Sequence, residues 1–341
     1  MGTSVTWTLD DLIARNAAPG AFVDVGPLRN LPCVVVDARG SDLSRVTDRL
    51  AAALPLVVIA IADDAAHDRA PVSDDPGHDG VALFDIVVST PAAADLVAGA
   101  VRANPHASTV LVQLLRMQSL LSPLDALAAE SLAYATLQGG HEFTRWLTGR
   151  GTRVRKPDTR PRVRVEHTDH ATTAVVTLDR PRLFNLYDAA MRDALVDTMR
   201  ALIADDAVVR IELRGAGKAF CAGGDPGEFG TTRDTTLAHL IRSSANAAPL
   251  LLAAAPKLHA FVHGAAVGAG CELAAFAAHV TASVDATFAL PEVSMGLVPG
   301  AGGTVSVTRR IGRHRAAWLA LTGERLDATT AHAWGLVDEV A

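Results

Sequence analysis

Three short apolar runs stand out in the first part of the chain: CVVVDA (Cys33 to Ala38), PLVVIAIAD (Pro55 to Asp63) and ALFDIVVST (Ala82 to Thr90). Each is rich in Val and Ile and bounded by turn residues, the pattern of a buried strand. A helical stretch from Leu43 to Ala53 lies between the first two, and such alternation predicts an α/β layer. The segment His67 to Asp79 is rich in Asp, Pro, Gly and His and reads as a loop. His67 and His78, with His106 further on, show no metal-ligand spacing, so no metal site is expected. Apolar positions then recur at three and four, which predicts helices over Ala92 to Ala103, Ser108 to Leu121 and Pro123 to Leu137.

A basic connector follows, with Arg150, Arg153, Arg155, Lys156, Arg160, Arg162 and Arg164 against Asp158 alone. Its glycines and prolines mark a solvated linker, although arginines also suit the phosphate oxygens of a nucleotide. The remaining pattern alternates. RVRVEHTDHATTAVVTLD predicts a β-hairpin turning at His167 to Thr172. Asp188 to Ile203 has helical periodicity, and VVRIELRG (Val208 to Gly215) reads as a strand. Thr235 to Ala255 is helical but broken at Pro249 and Pro256. LHAFVHG reads as a strand, and GAGCELAAFAAHV as a helix entered directly after it. The chain therefore divides into an α/β half over 1–148 that ends in helices, a linker over 149–162, and a second α/β half over 163–341.

Composition narrows the function classes. A length of 341 residues with 49% hydrophobic positions can bury a large core of one or two domains. A net charge of −6 gives no footprint for nucleic acid, and 4% aromatic residues give few platforms for base stacking. The longest apolar run, Ala247 to Ala278, is interrupted by Pro249, Pro256, Lys257, His263 and Glu272, so no membrane span is expected. The polar, acidic MGTSVTWTLDDLIARN shows no secretory signal. Cys33, Cys221 and Cys271 are odd in number and unclustered, which fits a reducing, cytoplasmic setting. Cys271 has no basic neighbour in sequence and is expected to pack as a small hydrophobe.

Chemistry concentrates between His263 and Gly303. There Glu272 (GAGCEL) and Glu292 (PEVSMG) stand among Cys, Leu, Ala, Pro and Val. A lone glutamate is usually solvated. An apolar setting instead disfavours the charged form and raises the pKa toward the range useful for proton transfer. The crowded glycines and alanines allow backbone N–H groups to approach a ligand closely. The PGAGG loop, Pro299 to Gly303, lacks the Lys-Ser/Thr ending of a phosphate-cradling loop, so nucleotide hydrolysis is not indicated. It is expected to support the Glu292 side of the site.

Four motifs in order, KAFCAGGD (Lys218 to Asp225), GAGCELA, LPEVSMGLVPGAGGT and LTGERLDATTAHAWGLVDEV (Leu321 to Val340), resemble the crotonase, or enoyl-CoA hydratase/isomerase, superfamily. The resemblance covers roughly residues 163–341. It implies a spiral of strand–strand–helix units and a coenzyme A thioester as substrate, with no further cofactor. It also implies an oxyanion hole from the amides of Ala222 and Ala269, the latter at a helix N-terminus, which adds partial positive charge. Glu272 is then the base that activates water and Glu292 the acid that protonates C2. Gly223, Gly224, Gly268 and Gly300 are expected to line the substrate site, and Asp225 to cap the turn presenting Ala222. The stretch RPRLFNL resembles the loop that wraps the adenine of coenzyme A. Arg180 and Arg182 are then candidates for its phosphates, and Phe184 and Leu186 for the adenine.

The helical stretch SPLDALAAESLAYATLQGGHEFTRWL resembles the tail that usually closes a crotonase subunit, yet here it precedes the catalytic half. This implies a rearranged architecture: a degenerate crotonase-like half carries the closing helices and the second half uses them. The alternative is an unrelated α/β domain. The activity implied is hydration of a 2-enoyl-CoA in a homotrimer or hexamer. An enoyl-CoA isomerase, another crotonase reaction or a non-catalytic acyl-CoA-binding subunit are the alternatives.

Overall fold

The computed structural model describes residues 5–18, 20, 23–41, 43, 50–62, 82–151, 160–168 and 172–341. Most of the predicted Leu43–Ala53 helix, the His67–Asp79 loop, the middle of the basic connector and the tip of the hairpin lie outside these residues. The architecture is mixed α/β. In the first half, β1 (Thr6–Trp7), β2 (Cys33–Asp37), β3 (Val57–Ile61) and β4 (Ile86–Val88) form a parallel sheet in the order β1-β2-β3-β4. Both faces are covered, so side chains alternate between two cores rather than between core and water. Val34, Val36, Val58 and Ala60 pack with Leu12 of α1 (Leu9–Ala17) on one face. Cys33, Val35, Val57, Ile59 and Ile86 enter the main core on the other. Strand β4 is shorter than the apolar run predicted there, and Asp85 just before it turns its carboxylate onto the Val58 amide at 2.9 Å.

Four helices follow: α2 (Pro91–Ala103), α3 (Pro105–Gln118), α4 (Pro123–Gln138) and α5 (His141–Arg150). The first three each begin with proline, which is tolerated there because the first N–H has no intrahelical acceptor. Thr90 and Ser122 cap α2 and α4 through their hydroxyls. The proline start explains why α3 begins three residues before the predicted Ser108. His106 meets His141 with ring centroids 4.6 Å apart, a grouping that sequence spacing does not bring together. The adjacent Glu142 caps α3, accepting the amides of His106 at 2.8 Å and Ala107 at 2.9 Å.

The second half opens with the predicted hairpin, β5 (Val163–Thr168) against β6 (Thr173–Leu178). Helix α6 (Ala189–Ala204) is capped by Asp188 and leads to β7 (Arg210–Gly215). Helices α7 (Thr235–Ser244) and α8 (Ala248–Ala254) are separated near the predicted proline break. Strand β8 (Leu258–Val262) and then β10 (His279–Ala282) join a six-stranded sheet that the last strand, β13 (Glu339–Val340), closes in the order β13-β10-β8-β7-β6-β5. Strand β9 (Ala265–Val267) and β11 (Thr287–Ala289) instead join a three-stranded sheet with β12 (Leu326–Asp327). Each consecutive pair therefore sends one strand to each sheet before its helix. The first is followed by α9 (Ala269–Ala274) and the second by α10 (Gly303–Thr322), which is kinked at Gly312. Helix α11 (Ala328–Trp334) then leads to β13 (Glu339–Val340).

The two halves share one core. A single apolar cluster runs from Val35, Ile59 and Val97 through Leu111 and Leu127 to Leu251, Phe276, Val305 and Leu319. Polar contacts cross the same boundary: Gln118 Nε2 donates to Thr304 Oγ1 at 2.7 Å, Ser131 Oγ lies 2.9 Å from His239 Nδ1, and His314 Nδ1 lies 3.0 Å from the Asp85 carbonyl. The connector departs from a wholly solvated linker at Arg162. Its guanidinium is buried and pairs with Asp188 at 3.1 Å. The free thiols of Cys33, Cys221 and Cys271 are all buried. Among the described residues no helix is long and apolar enough to cross a membrane.

Residues 160–341 produced alone would expose the surface that α3 and α4 cover. Apolar area of that extent drives association. This fragment should aggregate or lack cooperative unfolding, as read by light scattering and thermal melts. A monodisperse, cooperatively melting fragment would show the halves to be independent.

Candidate active site

A cavity of about 510 Å³ opens where α4, α7, α9 and the loop before α10 meet. Its wall includes Glu272 and Glu292, the backbone at Gly224 and Ala269, and Tyr134 from the first half. Of the residues singled out in sequence, Gly224, Asp225, Ala269, Glu272, Glu292 and Gly300 reach this wall.

Glu272 is the fourth residue of α9 and is 2% exposed. The direct passage from β9 into α9 points it at the N-terminus of α10. There its Oε2 accepts the amides of Ala301 and Gly303, both at 2.7 Å. Burial raises its pKa, and these amides hold the rise in check. Glu292 begins the short 3₁₀ turn Glu292–Met295. Its Oε2 is buried with no hydrogen-bond partner among the described residues. Burial and the charge of Glu272 push its pKa well above the usual carboxylate value. The other oxygen needs Gly268. A Cβ there would sit 2.3 Å from Glu292 Oε1, and the backbone at φ 51° also favours glycine. The PGAGG loop thus holds Glu272, not Glu292 as its position in sequence implies.

The expected oxyanion donor at Ala222 is not available. Its N–H donates to the Phe184 carbonyl at 2.9 Å, and Ala222 is not part of the cavity wall. Two residues on, the Gly224 amide lies at the wall with no acceptor among the described residues. The reason is the bridge between Tyr187 and Gly224. Tyr187 N–H donates to Gly223 O at 2.8 Å and Asp225 N–H to Tyr187 O at 2.9 Å, which leaves the intervening Gly224 amide on the other side. Ala269 is the first residue of α9, where an N–H has no intrahelical acceptor.

Arg180 also departs from expectation. It is 5% exposed and donates to Asp225 Oδ2 at 2.7 Å and to the Leu186 carbonyl at 3.2 Å. An arginine so enclosed is spent on the fold and does not reach a phosphate. Asp225 in turn accepts the Gly227 amide at 2.8 Å, so it caps the turn that follows it. The loop before Ala222 is held by Asn185, whose side-chain amide donates to the carbonyls of Ala216, Ala219 and Phe220. Arg182 and Phe184 are exposed and Leu186 half-buried; none of the three, nor Gly223 or Gly268, belongs to the cavity wall.

Three wall or near-wall groups escape the sequence reading. Glu130 of α4 is 1% exposed and accepts the amides of Gly302 at 2.8 Å and Thr304 at 3.0 Å. Tyr134, one turn on, packs so closely that a Cβ on Gly300 would lie 2.3 Å from its ring. Arg242 of α7 stacks over that ring at 3.9 Å. A signal for Glu130 was present. It falls on the stripe of Leu127, Tyr134 and Leu137, the buried side of α4.

Known proteins resemble the second half. The profile of the enoyl-CoA hydratase/isomerase family matches residues 168–341. A probable enoyl-CoA hydratase of Rhizobium meliloti (strain 1021) is 38% identical over 171 residues, 49% of this chain and 64% of that protein. The 2,3-dehydroadipyl-CoA hydratase of Escherichia coli (strain K12) is 35% identical over 172 residues, again 49% of this chain and 64% of the relative. The match thus spans less than two thirds of these relatives' length. An enoyl-CoA hydratase structure from Mycobacterium smegmatis is 32% identical, with a TM-score of 0.48 over 53% of this chain and 70% of that one.

The buried carboxyls set a stability profile. Glu272 and Glu292 bind protons more tightly in the folded chain than at the ordinary value of 4.5. A raised folded pKa contributes stability that is complete below the ordinary value and lost as pH rises through the folded one. Glu292→Gln keeps the shape and removes the charge. It should melt near the wild type at pH 5 and above it at pH 8. A melting difference that does not change with pH would show that Glu292 is not a strained carboxyl.

Proposed function

The chain belongs to the enoyl-CoA hydratase/isomerase family, and from that premise we propose that it hydrates a 2-enoyl-CoA thioester by syn addition of water. One observation carries the choice of hydration. Two buried carboxyls reach one cavity, in environments that separate their proton affinities. Glu272 has two amide donors that favour its ionised form. Glu292 lacks a partner on Oε2 and is held protonated by burial and by Glu272. Pairs driven apart in this way divide into base and acid.

In this reading Glu272 takes a proton from water as the water oxygen bonds to C3. The electron pair of the double bond moves toward the thioester, and the enolate oxygen rests on the amides of Gly224 and Ala269. Donors fixed in advance at the site of developing charge are worth about 10²–10³ in rate each. Glu292 then delivers its proton to C2 on the same face. Proton exchange with solvent afterwards restores both carboxyls. An isomerisation moves one proton along the acyl chain and requires no second group to activate water, so the pair favours hydration. The same pair disfavours a purely binding role. Arg192, half-buried at the cavity wall, and exposed Arg182 are suited to coenzyme A phosphates. Exposed Leu120, Leu124 and Leu132 give the helical cover an apolar face for self-association, in keeping with a homotrimer or hexamer.

Loss of the conjugated enoyl thioester absorbance tests the activity. Glu272→Gln and Glu292→Gln should each lower kcat by about two to four orders of magnitude with little change in thioester binding. A variant that keeps the wild-type rate would remove that carboxyl from the mechanism.

The oxyanion assignment has its own test. Proline is tolerated at the first helical position, so Ala269→Pro removes one donor with little cost to α9. It should lower kcat by about 10²–10³ at unchanged melting temperature. An active, folded variant would exclude this amide.

A further inference from the structure

We propose that Glu130, carried by the first half of the chain, is a positioning residue for Glu272: it fixes the segment from Gly302 to Thr304 so that the amides between present themselves to one oxygen of Glu272 and leave the other at the cavity. The inference rests on reading Glu272 as the base for water.

The observation behind it is an alternation. The amide of Ala301 donates to Glu272 Oε2 at 2.7 Å, that of Gly302 to Glu130 Oε1 at 2.8 Å, that of Gly303 to Glu272 Oε2 at 2.7 Å, and that of Thr304 to Glu130 Oε2 at 3.0 Å. The Thr304 hydroxyl adds a donor to the same Glu130 oxygen at 2.6 Å. Four successive N–H groups at the start of the 20-residue α10 are thus dealt in turn to two buried carboxylates from opposite halves. These are the amides a helix leaves without internal acceptors. Every hydrogen bond shown to Glu130 is one that a carboxylate accepts, and these donors oppose the rise in its proton affinity, to about 8, that burial and the Glu272 charge impose.

Without Glu130, the amides of Gly302 and Thr304 lose their acceptor in a buried place. Glu272 is the acceptor nearest in the loop, so the loop relaxes toward it. Extra donors would then reach the oxygen that faces the cavity. The charge environment changes in the same direction. Glu272 is faced by Glu292 from the 3₁₀ turn, Glu130 and Tyr134 from α4, Arg242 from α7, Tyr187 from the loop before α6 and Cys271 on its own helix. Burial, and after it the charge of Glu272, raise the proton affinity of Glu130. Removing Glu130 adds donors to Glu272 and, at a pH where Glu130 is ionised, also removes a like charge; both lower the proton affinity of Glu272. The base becomes weaker and misaligned, while groups that hold the coenzyme are untouched.

The test compares the full-length wild type with Glu130→Gln. One carboxamide oxygen cannot serve both amides, and its NH₂ would face a donor. With a 2-enoyl-CoA substrate, kcat should fall about 10- to 100-fold, the scale of a misplaced reacting group, with KM little changed. The acid limb of the kcat/KM profile should move to lower pH. A uniform loss of rate with an unmoved limb would reduce Glu130 to a packing role and overturn the proposal. Carboxyl titration by ¹³C NMR of glutamate-labelled protein, with the Glu272 signal assigned through Glu272→Gln, gives a readout that needs no turnover. The Glu272 carboxyl should titrate at lower pH in Glu130→Gln, and an unchanged midpoint overturns the proposal. If the wild type shows no hydratase activity, the hydration reading fails, while this titration still decides the role of Glu130. If Glu130→Gln does not fold, Glu130→Asp replaces it. That variant keeps the carboxyl group but its shorter side chain withdraws the oxygens from the amides of Gly302 and Thr304. The Glu272 midpoint should still move to lower pH, and no shift overturns the proposal.

Discussion

A carboxylate taken out of water needs donors, and the structure around the cavity follows from where those donors come from. They come from one short loop, Ala301 to Thr304, whose amides are shared between Glu272 and Glu130. Sharing works only if both carboxylates approach the loop within hydrogen-bond distance. Hence the small residues there: side chains at Gly300 or Gly303 would strike Tyr134 or Glu272 itself. Hence also the close seating of α4 on the start of α10, and the single core that holds the two halves together.

The same arrangement carries a cost that function explains. Glu292 has an oxygen buried without a partner, close to a second buried carboxyl. An unsatisfied buried polar group costs about 1–3 kcal/mol, and a fold selected for stability alone would place an apolar residue there. The cost accompanies a proton affinity at Glu292 raised well above the ordinary carboxylate value. Burial supplies the rise in proton affinity, and hydrogen bonds decide which of the two rises further.

The first half of the chain forms part of the cavity wall. Its helix α4 lines the cavity with Tyr134 and Gln138 and sets Glu130 against the loop behind the wall. Its parallel sheet lies behind α3 and α4, and Asp85 at the edge of that sheet accepts from buried Arg116 of α3 at 2.5 Å. That ion pair ties the covering helices to the sheet, and His314 of α10 reaches the backbone of the same Asp85. The cover is thus anchored on both sides.

The sequence alone determined the elements and the two carboxylates. Buried strands at Cys33, Val57 and Ile86, the hairpin after Val163, and Glu272 and Glu292 amid small apolar residues were all legible, because strand periodicity, turn residues and the apolar setting of a charge are local properties. The tertiary structure decided the partners. Which amide is free is a matter of the neighbouring chain: Ala222 is taken by Phe184, and Gly224 is left facing the cavity by the bridge through Tyr187. Arg180 reads as a phosphate ligand until the fold surrounds it with Asp225 and Asp188. Glu130 lies on the buried stripe of its helix, but its partners at Gly302 and Thr304 are far away in sequence, and only chain folding brings them together. Hydrogen bonds act over about 3 Å in space and carry no trace in the local pattern of residues.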